Sequence, residues 1–163
     1  MAQLARFLKQ ESISLDVAPD LELPEEMTAR DLSRIKEEIL GRLADLLCGT
    51  GKVANRSKLF QDLVNRERKA TTAVGKGIAV PHVRTMQARE FTMAVGIAPR
   101  GFPFGAPDGE PVRIFVAMVA PPYDDKLYLQ VYQQLAQVFL EEGALERILE
   151  AREAGEIIRI LSE

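Results

Sequence analysis

Leu32, Ile35, Ile39, Leu43, Leu46 and Leu47 recur at three- and four-residue spacing, the stripe of a long amphipathic helix. Thr28, with Asp31 three residues on, has the pattern of a capping box at its start, and Gly49 and Gly51 supply its stop. Ahead of it, Leu4, Phe7 and Leu8 fall on one side of a short helix over Ala2–Gln10. Ile13, Leu15 and Val17 then alternate with Ser12, Ser14 and Asp16, which predicts a half-buried strand. The acidic, proline-containing stretch APDLELPEEM reads as a solvated connection. Asn55 is placed to cap a second helix, with Leu59, Phe60, Leu63 and Val64 toward the core, running out near Arg66–Glu67–Arg68.

The period then changes. Ile78–Ala79–Val80 is a short apolar run stopped by Pro81. Phe91, Met93, Val95 and Ile97 alternate with smaller residues and predict a strand. PRGFPFGAPDGEP predicts a loop, and Val112–Val119 is apolar almost throughout, as in a strand covered on both faces. Asp124 or Asp125 can cap a helix carrying Leu127, Val131, Leu135, Val138 and Phe139. Gly143 ends that helix, and two short helical segments follow around Ile148 and Ile157–Ile160. Helices on both sides of a block of strands predict an α/β fold, a sheet sandwiched between helical layers.

At 163 residues, with 47% hydrophobic and 28% charged positions, the chain fits one domain over 1–163 with a substantial core. A net charge of −3 gives no general footprint for nucleic acid. No apolar run is long enough to span a bilayer, and MAQLARFLKQES is too polar for a secretory signal. One cysteine, Cys48, excludes an internal disulfide, and with one histidine it excludes the common structural zinc sets. Together these features predict a soluble cytoplasmic protein without a metal. Cys48 lies on an apolar helix face beside Leu46 and Leu47 and reads as a core residue.

His82, the only histidine, follows Pro81 at a strand end, with Arg84 after it and the Arg66–Glu67–Arg68 cluster before it. Its side chain titrates near neutrality, so it can serve as base, nucleophile or phosphoryl acceptor. It can equally be a partly buried histidine satisfied by one backbone carbonyl. The Gly75–Lys76–Gly77 turn lacks the upstream glycine and following Ser or Thr of a P-loop, and the third glycine of a dinucleotide fingerprint. No G-x-S-x-G elbow is present.

The segment Arg66-Glu-Arg-Lys-Ala-Thr-Thr-Ala-Val-Gly-Lys-Gly-Ile-Ala-Val-Pro-His82 closely resembles the active-site segment of type-2 enzyme IIA domains. These are the fructose/mannitol-type and nitrogen-regulatory IIA proteins of the bacterial phosphoenolpyruvate-dependent phosphotransferase system. LADLLCGTGKV, VRIFVAMVAPP and LYLQVYQQLAQVF look like further family counterparts. The resemblance implies a mixed β-sheet with helices on both sides. It also implies a phosphocarrier, using no cofactor, that takes a phosphoryl group from HPr or an HPr-like donor. The group passes to a IIB domain, or the phosphorylated state signals to a regulatory target. By position, His82 is the acceptor and Arg66 the nearby cation, while Thr72, Gly75 and Gly77 shape the pocket. Tyr128 stands where many members carry a second histidine, Val83 where a small residue is usual, and Ala73 where glycine is common. Tyr128 is thus either a neutral phosphate contact or a packing residue, with Arg66 and Arg84 carrying the charge neutralisation. The alternative function is a IIA-like regulatory binding module with impaired phosphorylation. If active, the chain is a phosphotransferase. Phe102, Phe104 and Tyr123 are candidates for an apolar docking face around His82, unless the two phenylalanines fold back onto the sheet.

Overall fold

The computed structural model describes residues 4–124 and 126–162. A short 3-10 turn over Leu4–Phe7 and another over Gln10–Ser12 lead into strand β1 (Ile13–Ser14). Helices α1 (Ala29–Cys48) and α2 (Arg56–Lys69) follow. Next come β2 (Ala73–Gly75), β3 (Ile78–Ala79), β4 (His82–Arg84), β5 (Thr92–Phe102) and β6 (Val112–Ala120). Helices α3 (Leu127–Leu140), α4 (Ala144–Glu150) and α5 (Ala154–Ser162) complete the described chain. The six strands form one mixed sheet ordered β1-β5-β6-β3-β2, with β4 also paired to β6. Among the described residues no helix is long and apolar enough to cross a membrane.

The sheet is covered on both faces, and over residues 93–98 of β5 the two faces differ in side-chain size. Ala94, Ala98 and Ala117 look toward α1 and α2, whereas Met93, Val95, Ile97, Val116 and Met118 look toward α3, α4 and α5. Small residues let α1 sit close. A Cβ added at Gly96 would come within 2.8 Å of Val17 Cγ2 and 3.2 Å of Leu43 Cδ2, so only glycine fits there. The alternation read over Phe91–Ile97 is thus the division between two cores.

The caps expected at the starts of the three long helices form, whereas the helix expected over Ala2–Gln10 is, among the described residues, a 3-10 turn over Leu4–Phe7, and α3 ends at Leu140 with Gly143 standing at the start of α4. Thr28 and Asp31 exchange backbone-to-side-chain bonds of 3.1 Å each, and Asn55 Oδ1 accepts from Lys58 N at 3.1 Å. Asp124 Oδ1 caps α3, accepting from Leu127 N and Tyr128 N. Asp125, the other candidate cap, and Ala2, the expected start of the first helix, lie outside the described residues.

Several expectations need correction. The segment at Ile13–Val17 is strand only over Ile13–Ser14, although Val17 N still donates to Ile97 O at 2.8 Å. Helix α2, by contrast, ends at Lys69, close to the expected Arg66–Arg68, which places Arg66 in its last turn. Strand β5 runs on to Phe102 through Pro99, because a register shift between Ile97 and Phe102 takes up the chain there, with Gly101 at φ +77°. Phe102 and Phe104 consequently fold inward, 1% and 0% exposed, and Phe104 packs edge-on against Phe115. Neither phenylalanine can contribute to a docking face.

Pro81 interrupts the ladder as expected, but pairing resumes beyond it. Ile78 pairs with Ile114 and His82 with Met118, so β3 and β4 lie along the same side of β6 in a single register. Pro81 still offers its carbonyl to Met118 N at 2.9 Å but has no N–H to give. The ladder breaks at that point, and the chain is free to present His82.

Candidate functional site

The break at Val80–Pro81 sets the geometry of the imidazole. Val80 N donates to Thr72 O at 2.9 Å, which holds this peptide against the residue leading into β2. Val80 O is turned to His82 and lies 2.7 Å from Nδ1. On the other side of the ring, Arg66 Nη2 lies 3.4 Å from Nε2. A carbonyl only accepts and a guanidinium only donates, so these partners assign the tautomer: Nδ1 carries the proton and Nε2 presents its lone pair. Burial lowers the His82 pKa from its ordinary value of 6.5; the Val80 carbonyl opposes this, Arg66 adds to it, and Glu67 opposes it. The neutral, nucleophilic form therefore prevails at pH 7.

Arg66 is aimed by its place in α2. Its Nη1 donates to Ala70 O at 2.9 Å, across the carbonyl end of the helix, where cations are favoured. Glu67, the next residue, is only 6% exposed. Its carboxylate accepts from Lys36 Nζ at 3.0 Å, from Thr72 N at 3.0 Å and from the Thr72 hydroxyl. Thr85, just past β4, ties back to α2 through a 2.6 Å bond from its hydroxyl to Asp62.

The opposite wall is aromatic. The ring centroids of Tyr128 and Tyr132 lie 5.4 and 6.1 Å from that of His82, tilted and edge-on respectively. They are one helical turn apart on α3, so both reach the same ring. Burial pushes the Tyr128 phenol up, against the pull of Arg66 and Arg84, and the hydroxyl stays neutral. Arg66, His82, Val83, Arg84, Tyr128 and Leu129 line one open pocket of about 350 Å³. A second groove shares Arg66, Val83 and Arg84 with it and continues past Met86 and Pro122.

The structure thus brings His82, Arg66, Arg84 and Tyr128 together. Thr72 stands one step back, its hydroxyl committed to Glu67. Gly75 and Gly77 are not in this pocket. They form the β2–β3 turn at the far end of the edge, with Lys76 between them; φ is +95°, +57° and +81° in order, and Asp108 Oδ2 accepts from Lys76 N. Their need for left-handed backbone is a turn requirement. Tyr123 and Leu129 are 78% and 56% exposed, and Met86 is 80% exposed. Cys48 is half-buried against the α1–α2 core, and burial pushes its thiol up, which fits the core reading. Sequence reasoning left Tyr132 and Leu129 out of the site. The four-residue spacing from Tyr128 to Tyr132 was the available signal.

With the geometry in place, the comparisons with known proteins are specific. Residues 23–163 match the family described as "Phosphoenolpyruvate-dependent sugar phosphotransferase system, EIIA 2". A "PTS system fructose-specific EIIA component" of Haloferax volcanii is 30% identical over 128 residues, covering 78% of this chain and 83% of that protein. A "PTS system fructose-specific EIIABC component" of Bacillus subtilis is 26% identical over 131 residues; the match takes in 80% of this chain but 21% of that longer protein. The crystal structure of nitrogen regulatory protein IIA-Ntr from Neisseria meningitidis superposes with a TM-score of 0.81 at 25% identity, over 97% of this chain and 98% of that one.

Proposed function

The chain belongs to the EIIA type-2 family of the phosphoenolpyruvate-dependent sugar phosphotransferase system, and we propose that it is a cytoplasmic phosphocarrier using His82 as acceptor. The observation that carries this reading is the pinned tautomer, with Nδ1–H on the Val80 carbonyl and the Nε2 lone pair facing an open pocket beside a guanidinium. The Nε2 lone pair attacks the phosphorus of a phosphohistidine on an HPr-type donor. A bond forms from Nε2 to phosphorus as the donor's phosphorus–nitrogen bond breaks. The electron pair returns to the donor imidazole, and no proton need be exchanged. Arg66 and Arg84 neutralise the phosphoryl oxygens, Arg66 from a position already fixed by Ala70. The reverse step delivers the group to a IIB domain or leaves a mark read by a regulatory target.

The donor docks on the exposed apolar side chains of Leu129, in the pocket, and Met86, in the adjoining groove. A binding module with impaired phosphorylation is favoured by one observation, the wholly neutral Tyr128–Tyr132 wall. Mass spectrometry after incubation with phosphoenolpyruvate, enzyme I and HPr-type proteins separates the two. A single acid-labile phosphoryl adduct, lost in His82→Ala, is expected of the carrier. An unmodified chain that still binds those proteins indicates the module.

A further inference from the structure

Glu67 is a buried carboxylate that points away from the pocket, yet the residues that hold the imidazole on both sides depend on where it sits. It adjoins Arg66 in the last turn of α2, and Lys36 of α1 secures it through a 3.0 Å ion pair. Both backbone and hydroxyl donors of Thr72 end on it. Thr72 in turn receives Val80 N, and Val80 O receives His82 Nδ1. The path from Lys36 to the reacting ring is therefore an unbroken series of short polar contacts. Its links alternate between side chain and backbone. Burying a carboxylate is costly unless every lone-pair direction it uses is occupied, and here three donors occupy it. Global folding does not depend on the path alone, since Thr71 anchors the same segment independently. Its hydroxyl donates to Phe104 O at 3.0 Å and accepts from Ala73 N at 3.1 Å.

We propose that Glu67, secured by Lys36 and acting through Thr72, is a positioning residue that holds the Val80 carbonyl on His82 Nδ1 and so keeps Nε2 unprotonated toward the pocket. The proposal rests on the reading of Nε2 as the phosphoryl-accepting atom. If the Thr72–Val80 clasp loosens, Val80 O drifts and Nδ1 loses its acceptor. The proton can then move to Nε2, where Arg66 offers it only donors and where it blocks attack.

His82 is the only histidine of the chain, so ¹⁵N-resolved NMR of its ring reads the tautomer without ambiguity. The spectra are taken at a pH where the ring is neutral, with no donor present, on wild type, Thr72→Val, Thr72→Ser and Glu67→Gln. Wild type is expected almost wholly as Nδ1–H. Thr72→Val and Glu67→Gln should show a substantial Nε2–H fraction and accept the phosphoryl group about tenfold more slowly, the scale of one lost hydrogen bond. Thr72→Ser, which restores the hydroxyl, should recover both readouts. A tautomer ratio that stays at the wild-type value in folded Thr72→Val and Glu67→Gln overturns the proposal, as does a Thr72→Ser variant no better than Thr72→Val. A tautomer change in a chain that accepts phosphate from no donor upholds the positioning role and overturns the phosphocarrier reading, so the two failures are told apart.

Discussion

On its α2 side His82 meets a guanidinium braced by a backbone carbonyl, with a carbonyl of its own edge on Nδ1. On its α3 side it meets two phenol rings and no charge. The charged wall is built from backbone-anchored contacts and defines where each proton sits. The aromatic wall supplies shape, partial burial and one or two neutral hydroxyls. The cation and the carbonyl that fix the tautomer thus come from one layer of the sandwich, while the other presents neutral rings. Substitutions on the two walls should therefore differ in size and in kind.

The largest effect is expected on the charged wall. Arg66→Ala removes a charge-assisted contact worth about 1.5–3 kcal/mol, so phosphoryl acceptance should fall roughly ten- to a hundredfold in a stopped-flow or quench assay. Thermal unfolding should move little, because Arg66 is half-buried at a helix end. Equal loss of folding and transfer would make Arg66 a structural residue and dissolve the contrast.

The rim comes next. Leu129→Glu in the pocket and Met86→Ala in the adjoining groove alter exposed side chains and should weaken HPr-type donor binding about tenfold by calorimetry with the fold intact, as expected of well-placed interface contacts. Phe102→Ala belongs to the opposite class and should destabilise the protein by about 3 kcal/mol or more, because that ring is core. Donor binding insensitive to both rim changes would move the docking face elsewhere.

The aromatic wall should respond more gently. Tyr128→Phe removes a neutral hydroxyl and should slow acceptance about two- to tenfold, whereas Tyr128→His should raise it by adding a partner able to carry charge. If neither substitution changes the rate, Tyr128 only packs, and the α2 wall works alone.

The smallest effect is in pH. Burial depresses the His82 pKa below 6.5, so acceptance should decline on acidification with a midpoint below pH 6.5, as the ring gains a proton. Folding stability shifts in the same window. The unfolded chain binds that proton first, so its contribution to stability is present above pH 6.5 and is lost on acidification. A decline in rate centred at or above 6.5 would contradict the neutral-ring assignment.

Much of this contrast was legible in the sequence, for physical reasons that differ by element. The Thr28–Asp31 box, the Asn55 cap and the α1 stripe are local, and each formed where its residues stood. His82, Arg66 and Arg84 converge because the Arg66–His82 segment is short and its turn chemistry is explicit. The unread features all depend on a partner far away in sequence. Phe102 and Phe104 lie in a Pro- and Gly-rich stretch that looks like loop, and only the register shift against Val112 carries them inward. Gly75 and Gly77 form the turn that the sequence announces, but sequence proximity to His82 does not place them in its pocket. The double anchoring of Glu67 by Lys36 and Thr72 joins α1 to β2 and left no trace in spacing.

The central claim is that His82 Nε2, and no other atom, takes up the phosphoryl group. It is tested most directly by ¹⁵N and ³¹P NMR of the chain after incubation with phosphoenolpyruvate, enzyme I and an HPr-type protein. One phosphorus resonance coupled to His82 Nε2 is expected, with Nδ1 still protonated, and no such resonance in His82→Ala. Phosphorus bound at Nδ1, a signal that persists in His82→Ala, or no phosphorylation from any HPr-type donor would contradict it.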